Sequence, residues 1–389
     1  MSGSVAGKIE VRVHRTIREI PADGWDACFP GDPECWAYYL AVEEAGLDAF
    51  SWAYLVAWSG DRVVAAVPAF ITDYRLDTTI QGAARSALKP VLAVLRRALT
   101  LRLLSLGSPL ADKCHLGFSG ALPIARRYEV AGRLLEGLNA FASAQRIGLL
   151  AAKDVAESDL LEGVGEAFEA AGFARQPGLP NAVLALPESE AAYLASLPAA
   201  VRRDVRRKLK RPALVRVEER RGPAALELVP QVVALYEAQR ERSGADFEQF
   251  EHLTPAYFRG VLEHVGEAAV LFIYRVGEQP VAFNLCYHTG RIFIDKFIGF
   301  SLPAARAHNL YVLSWMNNLR YCIARNIPVL QTGQTGYAMK TRMGSELRPN
   351  WIYFRHRNRL LNFFLRLAGP LLAADRHDED LARVSRGAS

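Results

Sequence analysis

The chain has 389 residues, which is enough for two domains that each bury a core of their own. Apolar residues make up 51% and charged residues 23%, a balance that excludes a disordered chain, and the net charge of +6 is concentrated in a few segments. The five cysteines include no Cys-x-x-Cys pair, so neither a disulfide framework nor a metal site is predicted. The N-terminus lacks a signal-peptide core and no stretch is apolar enough to predict a membrane span, so we expect a cytoplasmic protein.

Two parts of the sequence share three predicted features in the same order. The pairs are "VRV" at 11–13 and 215–217, a strand–turn–strand pattern at 53–70 and 270–287, and a helix that leads into an apolar strand at 125–154 and 304–333. Each strand–turn–strand pattern has a glycine followed by an acidic residue in its turn, which is typical of a hairpin. Three matches in one order indicate a duplicated α/β unit.

The duplication predicts the domain boundaries. We expect a first unit over residues 1–186, a second over 187–374 and a loose polar tail over 375–389. The first unit carries additional residues, an insertion at about 75–113, between its hairpin and its helix.

Two segments combine leucine or phenylalanine with arginine. The insertion contains such a stretch at 88–102, and a second covers 355–374. Arg366 and Pro370 argue against a spanning helix in the second segment. Basic, apolar amphipathic helices suit the headgroup region of a membrane, whereas a core helix with snorkelling arginines is the alternative. We expect a peripheral protein on the inner face of the cytoplasmic membrane, with an anionic membrane surface as a partner.

The most basic segment runs from Val201 to Arg211. Helical periodicity aligns Val201, Val205 and Leu209 on one stripe and leaves cations such as Arg206 on the opposite side. Nucleic acid is not the expected partner because no aromatic residues are interleaved with the charges. A cofactor phosphate or a membrane phosphate fits better, with solvated charge as the alternative.

These features resemble a known family. A basic helix, a hairpin, a strand, a helix and then "GQTGYAMKTRMG" resemble the Acetyltransf-6 (BioF2-like) branch of the GNAT acyltransferase superfamily. The tandem arrangement is similar to that of Fem-type peptidoglycan aminoacyltransferases. The resemblance implies an α/β (α+β) fold of two tandem GNAT-like units, each a mixed, mostly antiparallel sheet flanked by helices. The chain departs from the common pattern at 302–313, where no Q/R-x-x-G-x-G/A phosphate loop occurs.

The resemblance implies transfer of an acyl group to an amine. Length, composition and the basic apolar segments also resemble the bacterial ceramide synthases, which implies acyl-CoA, or alternatively acyl carrier protein, as donor. A long-chain amine such as a sphingoid base is then the acceptor. Two alternatives stay open, a Fem-type transferase that uses aminoacyl-tRNA on a cell-wall precursor and a non-catalytic membrane or nucleic-acid binding protein.

Direct acyl transfer needs a base, a polarised carbonyl and close contact between the reactants. Asp295 is a charge inside an apolar strand, so it is either the general base or half of an ion pair, for example with Lys296. In the family, a Tyr and a Lys recur in the loop that here follows the apolar strand "IPVLQ", and Tyr337 and Lys340 match them. The predicted catalytic residues are Asp295, His288, Tyr337 and Lys340.

Binding residues are predicted from helix starts, glycines and cations. His308 and Asn309 precede a predicted helix, whose free amides attract anions, although Asn309 is equally suited to be its cap. The full set of predicted donor-binding residues is His308, Asn309, Gln334, Gly336, Arg342 and Arg206. Arg240 and Glu241 match charged positions near the acceptor pocket of this branch, with a solvated helix face as the alternative.

Overall fold

The computed structural model describes residues 8–75, 100–160, 163–210, 214–243, 252–372 and 381. The chain folds into two compact units. Unit 1 holds the residues up to Pro30, residues 48–180 and the residues from Arg348 onward. Unit 2 holds residues 31–47 and 181–347.

The strands alternate with helices along most of the chain. The strands are β1 (Ile9–His14), β2 (Ser51–Ser59), β3 (Arg62–Arg75), β4 (Thr100–Leu106), β5 (Gly117–Phe118), β6 (Leu149–Ala156), β7 (Ala174–Pro177), β8 (Asn181–Ala185), β9 (Val215–Arg221), β10 (Ala269–Val276), β11 (Gln279–His288), β12 (Phe293–Phe300), β13 (Val329–Gln331), β14 (Glu346–Arg348) and β15 (Asn350–His356). The α-helices are α1 (Ala22–Asp26), α2 (Trp36–Glu44), α3 (Arg127–Ala144), α4 (Glu157–Leu160), α5 (Val164–Ala170), α6 (Glu190–Ser196), α7 (Ala199–Leu209), α8 (Val229–Ser243), α9 (Pro255–His264), α10 (Leu302–His308), α11 (Leu310–Ala324), α12 (Tyr337–Arg342) and α13 (Arg359–Leu372). Among the described helices, none combines the length and the apolar character that a membrane span requires.

The sheet of unit 1 has the strand order β1-β2-β3-β4-β6-β15-β7, and β5 also pairs with β3. Its neighbouring strands run antiparallel except for β4 and β6, which are parallel. Helix α3 packs against β1 and β2, and its buried residues join the core of the sheet.

The sheet of unit 2 has the strand order β14-β8-β13-β12-β11-β10-β9. Strands β12 and β13 are parallel, whereas β9 to β12 pair antiparallel in sequence order. Cys286 packs in the core with α11, while the next residue, Tyr287, bonds to Tyr257 of α9. Because successive strand residues point to opposite faces, α11 covers one face of this sheet and α9 the other.

The predicted duplication is confirmed. The first "VRV" lies in β1 and the second opens β9, and each of these strands pairs with the first strand of a hairpin. Gly60 and Gly277 occupy the two hairpin turns with φ of +61° and +59°, which glycine adopts readily. In both units a long helix then leads to the strand that makes the parallel pairing, so the α/β fold class is as predicted.

The units are not the contiguous halves that the sequence suggested, 1–186 and 187–374. Strand β8 already belongs to the second sheet, and β15 returns to the first, where it pairs with β6 and β7. Tyr353 of β15 is buried and stacks on Phe168 at 4.4 Å between ring centroids. Since β6 needs a partner on this edge, a strand distant in sequence completes the sheet.

Two predicted surface features have different outcomes. Leu101 and Arg102, assigned to an amphipathic helix, lie in strand β4 instead, because residues 100–106 pair with β3 and β6. The rest of that predicted helix and most of the tail after 375 lie outside the described residues. The basic segment forms α7 as predicted, with Val205 buried and Val201 and Leu209 packed against the core.

Candidate active site

Strand β12 leaves its parallel neighbour after two residues. It pairs with β13 through Phe293 and Ile294, and the described register ends there although β12 continues to Phe300. On its other side a bulge places Asp295 opposite Cys286. The parallel pairing therefore ends at Ile294, one residue before Asp295, while the antiparallel pairing with β11 continues.

Two asparagine amides hold the Asp295 carboxylate. Asn284 Nδ2 donates to Oδ1 at 2.5 Å, and Asn318 Nδ2 donates to Oδ2 at 3.1 Å. Asn284 lies on β11 and Asn318 on α11, and both are fully buried. Each carboxylate oxygen thus has a fixed donor, which sets the orientation of the carboxylate.

The surroundings of Asp295 change the pKa of its carboxyl group. Burial raises its pKa above the ordinary value, and the Asn284 amide, the Lys340 charge and the Asn318 amide offset part of that rise. The side chain is only partly buried by area, so part of it retains access to solvent. A carboxylate with a raised pKa accepts a proton more readily than an exposed one.

A second layer of buried polar groups orients Asn284. Its Oδ1 accepts hydrogen bonds from the Cys286 thiol at 3.1 Å and from Ser314 Oγ at 3.4 Å. The amide is therefore turned so that its Nδ2 faces Asp295. Burial, followed by the Asp295 charge, raises the pKa of the Cys286 thiol well above its ordinary value, so this cysteine stays protonated and is no nucleophile.

Helix α12, which follows the loop after β13, carries Lys340, and its charge acts on this carboxylate. Lys340 is buried, and its Nζ donates to the carbonyls of Gly333 at 3.2 Å and Gln334 at 3.0 Å. Gly336 caps α12 in the left-handed region at φ +62°, and Tyr337 is completely buried behind it. Lys340 thus fixes the loop while its charge acts on Asp295.

Two of the predicted donor-binding residues are cations on α12 and α7. Arg342 donates to Asp204 of α7 at 2.9 Å, so α7 and α12 are joined by an ion pair. Arg206 is exposed and has no ion pair among the described residues. Arg202, in contrast, donates to carbonyls at the end of α6 and serves packing.

Asn309 precedes α11, so the predicted helix start is confirmed. The short helix α10 ends at His308, and Asn309 links it to α11 with φ +53°. The Asn309 side chain makes no capping hydrogen bond, and its backbone N–H bonds to Ala305. The structure therefore gives Asn309 the place of a helix cap without its side-chain bond.

His288 belongs to a different cluster. Its Nε2 lies 3.1 Å from the Tyr321 hydroxyl, and burial, followed by Arg221 and Arg325, lowers the pKa of His288. No hydrogen bond joins His288 to the Asp295 group within the described residues. A catalytic role for His288 remains a prediction without geometric support.

Arg240 and Glu241 lie on α8, which packs against β11 and β12. Arg240 is half-buried, Glu241 is exposed, and neither is hydrogen-bonded to the Asp295 group in the described part of the chain. Gln239, one residue before them, accepts a bond from the Phe300 N–H at 2.9 Å and ties the helix to the end of β12. Their assignment to the acceptor site remains a prediction.

The sequence did not identify the partners of Asp295 and Lys296. Asn284 and Asn318 stand in "VAFNLCY" and "SWMNNLRY", where a polar residue within an apolar run was the available signal. Lys296 pairs with Glu34, and both side chains are almost fully buried. The suggested ion pair between Asp295 and Lys296 is therefore replaced by one with a residue far away in sequence.

A comparison with protein-family models finds a match in the second half of the chain. Residues 199–341 match the family model Acetyltransf_6, described as an acetyltransferase (GNAT) domain. This segment includes β9 to β13 and Asp295. No curated protein sequence matches the chain.

Solved structures are similar over nearly the whole chain. FemX has a TM-score of 0.60 at 13% identity and covers 92% of this chain and 100% of its own. A tandem GNAT protein from the clavulanic acid biosynthesis pathway has a TM-score of 0.52 at 14% identity, covering 90% and 98%. The fold is that of tandem GNAT proteins. The C-terminal domain of a putative lysylphosphatidylglycerol synthetase from Agrobacterium fabrum also shares it, with a TM-score of 0.50, 11% identity and coverages of 88% and 96%.

Proposed function

We propose that this protein is an N-acyltransferase that moves an acyl group directly from a thioester to an amine, with Asp295 as general base. The observation that carries the proposal is a single carboxylate with a raised pKa, held by two amides where β12 leaves β13. The GNAT-type acyl- or aminoacyl-transferase fold of the chain supports the same reaction class.

In the proposed reaction the amine nitrogen attacks the thioester carbonyl carbon. Asp295 takes the proton that the nitrogen loses, and the carbonyl oxygen carries the negative charge of the tetrahedral intermediate. The charge of Lys340 acts on the Asp295 carboxylate. In the proposed reaction the same cation stabilises the negative charge on the carbonyl oxygen of the intermediate. The intermediate then expels the thiolate, which is protonated as it leaves, and an amide and a free thiol result. Tyr337 is the proposed source of that proton.

Acyl-CoA is the proposed donor. Its support is the match of residues 199–341 to an acetyltransferase (GNAT) domain. The exposed cation Arg206 on α7 supplies charge for phosphates, with Arg342 at the end of α12 as the second cation. Acyl carrier protein would present a thioester of the same chemistry and is the second source to test.

A long-chain amine, such as a sphingoid base, is the proposed acceptor. Its support is the structural likeness to a putative lysylphosphatidylglycerol synthetase, whose name denotes a lipid product, and the apolar exposed helix α13. An acceptor of this kind places the enzyme at the membrane surface, on its cytoplasmic side.

The test is thiol release by the purified protein with acyl-CoAs of graded chain length, with and without long-chain amines. Mass spectrometry then identifies the amide. Asp295→Asn is expected to lower amine-dependent release about 10²- to 10⁴-fold. Glu278→Gln, which changes an exposed carboxylate in the β10–β11 turn, is expected to keep it. Release that is independent of the amine, or unaffected by Asp295→Asn, would contradict the proposal.

A second candidate keeps the site and changes the donor to aminoacyl-tRNA. The FemX likeness and the cationic surface of α7 favour it. Nuclease treatment of a cell extract would abolish this activity and leave an acyl-CoA reaction intact. Thermal stabilisation by acyl-CoA without turnover of any donor would instead indicate a binding protein.

A further inference from the structure

Helix α13 presents its apolar side to solvent, the reverse of an ordinary surface helix. Nine large apolar side chains are well exposed in the described part of the chain, and five of them lie on this helix. They are Leu360 (65% exposed), Leu361 (44%), Phe363 (56%), Phe364 (55%) and Leu367 (62%). Such a contiguous patch marks an interaction surface rather than scattered exposure.

The opposite side of α13 is fixed to unit 1. Asn358 caps the helix by accepting from the N–H groups of Leu360 and Leu361. Gly369 lies against Phe354, where a Cβ would come within 3.0 Å of the ring, and Arg366 donates to the Gly172 carbonyl at 2.8 Å. The helix therefore cannot turn its apolar side inward without breaking these contacts.

The charged residues along this segment have one sign. No acidic residue occurs between 347 and 374, whereas four arginines occur in 355–366. Arg357 and Arg359 are exposed and form no ion pair with a described carboxylate. At 100° per residue, Arg359 and Arg366 line one border of the apolar face.

We propose that α13 docks the protein on an anionic lipid bilayer, with its phenylalanines and leucines in the headgroup–acyl boundary and its arginines on lipid phosphates. Apolar side chains bordered by arginine suit this boundary, because the apolar side chains contact acyl chains while the arginines contact lipid phosphates. The surface lies on unit 1 and uses none of the residues of the Asp295 site. The inference rests on the membrane location in the proposed function and deepens it, and vesicle binding can fail or succeed separately from thiol release.

Vesicle flotation tests the docking with the full-length protein. Wild type should float with vesicles that contain about 30 mol% phosphatidylglycerol, should float less with pure phosphatidylcholine, and should be released by about 1 M salt. Phe363→Ser/Phe364→Ser should weaken binding about tenfold or more, because two exposed aromatic side chains no longer enter the bilayer. Arg357→Gln/Arg359→Gln should weaken vesicle binding about tenfold, because each arginine near an anionic surface contributes roughly fivefold or less to the affinity.

Matched variants keep the test specific. Ile124→Ser removes an equally exposed apolar residue elsewhere on unit 1, and Arg62→Gln/Arg133→Gln removes two exposed arginines from its sheet and α3. Both should float like wild type, and circular dichroism should show that every variant folds. Equal losses in the controls, equal binding to neutral vesicles, or a dimer in sedimentation velocity that Phe363→Ser/Phe364→Ser dissociates would each overturn the proposal.

Discussion

Asp295 and Lys296 are consecutive residues of β12, yet their side chains join separate networks on opposite faces of the second sheet. Asp295 accepts from Asn318 of α11, whereas Lys296 pairs with Glu34 and lies over the ring of Tyr38 of α2. The β-bulge at this point accommodates the extra residue. As a result the neighbouring cation does not neutralise Asp295, and burial raises the pKa of that carboxyl without a directly bonded cation.

Asp295→Asn should separate catalysis from folding. The substitution removes the proposed base, so amine-dependent thiol release should fall about 10²- to 10⁴-fold. Asn318 Oδ1 has no described partner, so the amide of Asn318 can rotate and accept a bond from the new residue. Activity assays and thermal unfolding of the same preparation check this, with Glu278→Gln as the control.

Asp295→Asn should raise the free energy of unfolding at neutral pH. The folded-state pKa of Asp295 is raised, so the folded protein binds the proton more tightly and stability falls as pH rises from the unfolded pKa to the folded one. Removing the charge should make the variant the more stable protein at neutral pH, by on the order of 1 kcal/mol per unit of raised pKa. Urea unfolding at several pH values should show this gain shrink towards about pH 4. A gain that persists unchanged at low pH would contradict the assignment.

Asn318→Leu should shift the pH dependence of the reaction. The lost amide lowers the pKa of Asp295 in the wild type, so without it the pKa rises further and the acid limb of kcat/KM moves to higher pH. A hydrogen bond to a charged group contributes about 1.5–3 kcal/mol, which corresponds to a shift of about one to two pH units. Asn317→Leu, one residue away and without a bond to Asp295, should leave the profile in place. A lower rate with an unshifted acid limb would show that Asp295 is not the titrating base.

Local patterns were sufficient for the elements and the duplication. The turn glycines Gly60 and Gly277, the two "VRV" strands and the helices α3, α7 and α11 are encoded within short windows, and each forms as predicted. The Val205 stripe of α7 also docks as its spacing indicated. Asp295 was identified because a charge in an apolar strand requires a specific environment.

Long-range pairing was beyond what the sequence could provide. The partners of Asp295 lie on β11 and α11. The partner of Lys296 lies some 260 residues earlier in the chain, and a periodic pattern within a short window cannot predict contacts over such separations. Strand β15 joins the first sheet for the same kind of reason, since strand order depends on packing of distant segments. His288 was selected by residue type alone, and the structure places it with Tyr321 and Arg325.

Removing one partner of the buried Lys296–Glu34 pair should destabilise the fold far more than removing both partners. Lys296→Met leaves Glu34 buried without its cation, which should cost about 3–5 kcal/mol. Changing both partners, Lys296→Met with Glu34→Gln, should restore most of that loss because no charge stays buried. Urea unfolding of the single and double variants measures this, and Arg320→Met, which breaks the more exposed Glu190 pair, should cost less than about 1 kcal/mol. A double variant no more stable than Lys296→Met would show that packing, and not the charge, is responsible.

The cationic surface of α7 should influence donor binding through charge alone. Arg206→Gln is expected to raise KM for acyl-CoA about threefold to fivefold at low salt, since one cation near a phosphate contributes on the order of 1 kcal/mol. The kcat should stay unchanged because Arg206 is exposed and has no described contact with Asp295. The difference in KM between Arg206→Gln and the wild type should vanish near about 1 M salt, where electrostatic interactions between exposed charges are almost completely screened. Arg216→Gln, an exposed arginine on β9, is the matched control. Equal KM values for the two variants would place the donor phosphates away from α7 and leave Arg342 as the remaining cation for them.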